Sequence, residues 1–80
     1  MSVSENMEEL VNIYSNDNIV YVNLPEKSEA QIEIYNNLGQ HIFTSSLNEI
    51  YNTVALKEAG VYIVKVSLDG QLVSEKVLIQ

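Results

Sequence analysis

The chain has 80 residues, with eleven acids against four lysines, no arginine and no cysteine, for a formal charge of −7. That balance argues against nucleic acid and anionic membrane surfaces, which need a basic patch. Without cysteine there is no disulfide scaffold, thiolate metal site or cysteine nucleophile. Hydrophobic residues make up 46%, enough for one small globular domain with a modest core. No apolar run approaches the ~20 residues needed to span a bilayer.

Residues 1–9 are polar and acidic, with Glu5, Glu8 and Glu9. They read as an arm or linker, and a helical turn through Met7 and Leu10 would be short. The start carries neither the basic residues nor the apolar segment of a secretory signal. Leu10 to Tyr14 reads as a strand, with Val11 and Ile13 on one face and Leu10 and Tyr14 on the other. Ser15-Asn16-Asp17-Asn18 is a turn, because Asn and Asp bond their own backbone and tolerate left-handed conformations. Ile19 to Asn23 is the second strand, and Pro25 ends it for want of an N–H.

Glu26 to Glu29 is a charged loop. Ala30 to Tyr35 then alternates, with Ala30, Ile32 and Ile34 inward and Gln31, Glu33 and Tyr35 outward. Asn36 to Gln40 is a tight connection with Gly39 as its positive-φ residue. His41 to Ser45 is the returning strand, and Ser46 to Glu49 a loop. Ile50 to Leu56 is a strand in which Val54 and Leu56 share a face with Asn52.

Gly60 to Val66 is the strongest strand, a run of β-branched and aromatic residues opened by a glycine. Alternation places Tyr62, Val64 and Val66 on one face and Val61, Ile63 and Lys65 on the other. Both faces are mostly apolar, which predicts a central strand with neighbours on both edges. Asp69-Gly70 is a hairpin turn, and Gln71 to Gln80 is the returning partner. Glu75 falls on the phase of Val73, Val77 and Ile79, so a bulge near Ser74-Glu75 is expected to repair the register. A chain whose best hairpin ends at its last residue reads as complete or as the C-terminal module of something longer. About seven short strands spaced roughly 8–12 residues apart predict an all-β fold, an Ig-like antiparallel sandwich.

The order of these pieces carries a resemblance. Asn37-Leu38-Gly39-Gln40 follows an Ile-x-Ile-Tyr strand. Ala59-Gly60-Val61-Tyr62-Ile63-Val64-Lys65-Val66 comes next, then an acidic glycine turn, then Glu75-Lys76-Val77-Leu78-Ile79. Over about residues 11–80 this resembles the C-terminal sorting domain of the type IX secretion system of Bacteroidota, carried by gingipain-type proteases. Many members open with a "YPNP"-like turn, where this chain has Tyr14-Ser15-Asn16-Asp17.

The resemblance implies a non-enzymatic secretion signal with no cofactor. Its cargo would cross the inner membrane, fold in the periplasm and pass the outer membrane to the surface or the medium. Implied partners are the outer-membrane translocon and shuttle protein of the system, and a sortase-like cysteine protease that removes the domain near or upstream of residues 1–9. Implied recognition residues are Leu38, Gly39 and Gln40 in the turn, and Gly60, Val61, Tyr62, Ile63, Val64, Lys65 and Val66 in the central strand. Lys76, Val77, Leu78, Ile79 and Gln80 complete the set. A terminal strand at a sheet edge could add a partner's strand, or pair with a second copy as a homodimer.

Other chemistry is thinner. His41, the single histidine, reads as a partly exposed strand residue rather than a metal ligand or base. Glu5, Glu8, Glu9 and Asp17 match no calcium loop, and the three glycines read as turns rather than a phosphate cradle. No Ser-His-Asp set can be drawn. Tyr14, Tyr21, Tyr35, Tyr51 and Tyr62 read as sheet aromatics on different faces, with Tyr62 in the core. A generic Ig or fibronectin-like adhesion or carbohydrate-binding module is the alternative, and would require exposed coplanar tyrosines. The phases also turn Val61, Ile63, Ile19, Tyr21, Phe43 and Leu78 outward; if several of these lie on one sheet they make an exposed apolar patch, of the kind that marks interaction sites.

Overall fold

The structure, a computed structural model, describes residues 11–80. The expected arm at residues 1–9 and its acids lie outside the described residues. The remainder forms seven strands: β1 (Asn12–Asn16), β2 (Ile19–Asn23), β3 (Ala30–Asn36), β4 (His41–Leu47), β5 (Tyr51–Ala55), β6 (Gly60–Leu68) and β7 (Gln71–Ile79). They make a three-stranded sheet ordered β1-β2-β5 and a four-stranded sheet ordered β4-β3-β6-β7, every pairing antiparallel. The chain crosses between sheets at β2–β3, β4–β5 and β5–β6, so β2 pairs with β5 and β3 with β6. Immunoglobulin-like sandwiches have this interleaved ordering.

The turns follow from their residues. The β1–β2 loop is Asp17-Asn18, and φ is +54° and +67° there. The β6–β7 loop is Asp69-Gly70, at +52° and +76°. Two positive φ values in a two-residue loop match the right-handed twist of the strands they join. The strand bounds shift slightly. The expected Ser15–Asn18 turn narrows to two residues. β4 runs on through Ser46 and Leu47, where a loop was expected, because Leu47 buries itself opposite Ala30. β6 likewise continues to Leu68.

Alternation builds the core. From the three-stranded sheet come Ile13, Val20, Val22 and Val54, with Val11 just before β1; from the other come Ile32, Ile34, Tyr62, Val64, Val66, Val77 and Ile79. Among the described residues no polar or charged residue is buried, so the sheets meet through an apolar layer, as a sandwich requires. β6 has β3 on one side and β7 on the other, as its two apolar faces predicted. Asn52 shares the inward phase of Val54, as expected, and its Nδ2 donates to the carbonyls of Val22 and Glu49.

Two expectations are corrected. No bulge interrupts β7, whose register against β6 is continuous from Leu68–Gln71 to Gly60–Ile79. Glu75 keeps the inward phase opposite Val64 yet is exposed. β7 is an edge strand, and there the carboxylate reaches water beside Val11 and Ile13. The bulge lies instead between β3 and β4, where Ile34 faces Phe43 and Tyr35 faces His41, leaving Ile42 as the extra residue. The same bulge corrects Phe43. It sits opposite buried Ile34 and packs against the core rather than facing outward.

Candidate functional site

The outer face of the four-stranded sheet can be read row by row from the register. One row runs His41, Tyr35, Ile63, Lys76, and the next Thr44, Glu33, Lys65, Ser74. Val61 and Leu78 pair beyond them. Lys65 holds its ammonium 5.0 Å from the centroid of the Tyr35 ring, a cation–π distance. The ring of His41 meets Tyr35 edge-on at 5.4 Å. The Tyr35 hydroxyl donates to a Glu33 carboxylate oxygen at 3.1 Å. That hydrogen bond, with smaller contributions from desolvation and the carboxylate's charge, raises the phenol above its usual range.

The β3–β4 turn closes one end of this face, and Asn36 organises it. Its Oδ1 accepts from the backbone N–H of Leu38 at 3.0 Å and of Gln40 at 2.9 Å. Its Nδ2 donates to Gln40 Oε1 at 2.8 Å. Its backbone N–H donates to the Gln40 carbonyl, and its carbonyl accepts from Gly39. Gly39 supplies φ of +86°, which a residue with a Cβ adopts only at a cost. The result is a fixed loop with Leu38 at its tip, 79% exposed. Behind it lies a shallow depression of about 520 Å³ lined by Tyr35, Asn37, Gly39, Val61, Ile63 and Lys76, among others.

The recognition residues expected from sequence are therefore divided among the core, the β3–β4 turn, the outer face and two strand ends. Tyr62, Val64, Val66, Val77 and Ile79 are core. Leu38, Gly39 and Gln40 form the turn, while Val61, Ile63, Lys65, Lys76 and Leu78 hold the outer face. Gly60 opens β6 at φ of +149°, and exposed Gln80 follows β7. Tyr62 also ties down backbone, since its hydroxyl donates to the Glu58 carbonyl at 2.8 Å. This is the geometry of a tyrosine corner, which ties a sheet-crossing connection to the strand after it. Alternation gave no hint of Asn36. The signal available was an Asn four residues before a Gln, with glycine between.

Three of the six residues expected outward share one surface. Val61, Ile63 and Leu78 lie on the outer face of the four-stranded sheet, Ile19 and Tyr21 on that of the three-stranded sheet, and Phe43 inside. The tyrosines also regroup. Tyr14, Tyr21 and Tyr51 share the outer face of the three-stranded sheet, where different faces were expected. Tyr14 and Tyr21 stack on each other at 4.9 Å and 9°, so each ring covers a face of the other instead of lying beside it in one plane.

Edges complete the geometry. β7 borders the four-stranded sheet and runs alongside β1, bridged by a hydrogen bond from Ser15 Oγ to the Leu78 carbonyl at 2.9 Å. Since that carbonyl points away from β6, antiparallel alternation turns the N–H and C=O of Lys76 and Ser74 the same way. His41 is exposed, and its Nε2 meets Thr44 Oγ1. Among the described residues no three His, Asp or Glu side chains group as a metal site. No helix among them is long and apolar enough to cross a membrane.

A family model described as a secretion system C-terminal sorting domain matches residues 10–80. The chain belongs to that family. No curated protein matches it. The sorting domain is a C-terminal secretion signal of the type IX system, and its family is one of signals rather than catalysts. It implies export to the cell surface or secretion, and interaction with the type IX machinery. The match agrees with the order of turn, central strand and terminal strand in the sequence. The adhesion alternative gains no support, since the stacked Tyr14–Tyr21 pair is not a coplanar platform.

Proposed function

We propose that the outer-membrane translocon and shuttle protein of the type IX system read this sorting domain as a folded module, through the edge of β7. The carrying observation is that β7 is an edge strand of its sheet, flanked on the side away from β6 by β1 through the single Ser15–Leu78 hydrogen bond rather than by a ladder. A partner strand adding there displaces β1 and its Ser15 bond to Leu78, and gains affinity from main-chain bonds and register from Ser74, Lys76 and Leu78. Residues 1–9 form the linker before a domain beginning at residue 10, and a sortase-like cysteine protease cuts there or upstream. The export route passes through the periplasm. In isolation the same edge can pair two copies.

The test fuses the chain to the C-terminus of a fluorescent reporter with an inner-membrane signal peptide, in a Bacteroidota strain with and without the translocon. Surface or medium fluorescence only in the intact strain supports the reading. Periplasmic retention in both strains sinks it. Truncating Val77 to Gln80 is a poor probe of the edge, because Val77 and Ile79 are core residues. Lys76→Pro is better. It removes an outward N–H, a change edge strands tolerate. A folded Lys76→Pro domain that still exports normally would exclude strand addition at β7.

A further inference from the structure

We infer that the Leu38 tip and the depression behind it are a docking site for an acidic, apolar segment of a partner protein. This rests on the sorting reading above and names a second contact, made by side chains rather than by the β7 edge. Three observations converge. First, Leu38 is 79% exposed, yet its loop is fixed by five hydrogen bonds centred on Asn36. A large apolar side chain held rigidly in water adds nothing to the domain's own core. As a preorganised anchor it loses little entropy on binding.

Second, the depression beside it is more apolar than polar, floored by Val61 and Ile63 and walled by Tyr35. Third, the charge there runs against the rest of the molecule. The chain has eleven acids and four lysines, yet two of those lysines, Lys65 and Lys76, line this depression and no acid does. Lys65 faces Glu33 across the strand pair and rests on Tyr35, whereas Lys76 is opposite Ile63. The local field therefore selects a segment carrying carboxylates, with apolar side chains to meet Leu38 and Ile63.

The test uses the same reporter fusion, with wild type as its control. If the wild type is not exported, the sorting reading itself fails. With the wild type exported, Leu38→Ser and the double variant Lys65→Glu/Lys76→Glu should each lower export at least about tenfold, as loss of a binding anchor does. Thr53→Glu, on the opposite sheet, should not. Full export of the outer-face variants overturns the proposal. Melting temperatures of the purified variants show whether they remain folded. If charge reversal unfolds the domain, exposed Leu38→Ser still decides. A photo-crosslinking p-benzoylphenylalanine at position 38 then reports the occupant. A crosslinked peptide rich in Asp, Glu and apolar residues supports the proposal. A basic or neutral peptide, a second copy, or no adduct overturns it.

Discussion

The Tyr62 hydroxyl donates to the carbonyl of Glu58, four residues upstream, across the connection that carries the chain from β5 to β6. The Gly-Val-Tyr opening of the strongest strand is therefore structural at its tyrosine. The ring fills the core while the hydroxyl pins the crossing. Tyr62→Phe should keep the ring and lose the bond, costing about 1 kcal/mol. For a domain of this size that lowers the melting temperature by roughly 4–8 °C. Thermal unfolding followed by circular dichroism checks it, and an unchanged midpoint would remove the Tyr62 hydroxyl from the fold's support.

Gly39 separates backbone from packing. A Cβ there meets nothing within 4 Å, but φ is +86°. Gly39→Ala should cost about 1–2 kcal/mol through the left-handed backbone alone. Gly39→Asn should cost less, because Asn visits that region more readily. Chemical denaturation of the pair gives the order, and equal losses would point to a steric cause.

Glu75 occupies an inward phase on an edge strand and stays exposed. Inward-pointing charge is a known device against edge-to-edge pairing. Glu75→Val should raise the melting temperature, by up to about 1 kcal/mol of stability from strand propensity and added apolar contact. It should also shift the protein toward larger species in size-exclusion chromatography. A more stable variant with unchanged elution would leave Glu75 without this protective role.

Tyr35 gives a pH dependence with a definite sign. The Glu33 bond raises the folded-state pKa above the ordinary phenol value. A raised value means that the folded state holds its proton more tightly. The contribution to stability is full below the unfolded pKa of about 10 and is lost as pH rises through the folded value. Tyr35→Phe should lower stability slightly at neutral pH, where the Glu33 hydrogen bond is lost, and should remove this alkaline decline. Denaturation midpoints across the alkaline range, wild type against variant, decide it, and parallel curves would refute the assignment.

What the sequence determined is local. Alternation is written into each strand, so Ile32, Ile34, Tyr62, Val64 and Val66 were legible as core before any pairing was known. Asp17-Asn18 and Asp69-Gly70 announced their turns because few residue pairs accept two positive φ values. The order of turn, central strand and terminal strand also pointed to the family that residues 10–80 match. What only the tertiary structure decided is relational. A bulge exists only when two strands are counted against each other, so the extra residue at Ile42, and with it the inward turn of Phe43, could not be read from β4 alone. The side chain of Glu75 escapes the core because β7 is an edge, a fact about neighbours. Outward phases name a face but not a sheet. Non-local pairing set Tyr21 on one side of the sandwich and Ile63 on the other, and it brought Leu38, Lys65 and Lys76 together at one end of a single face.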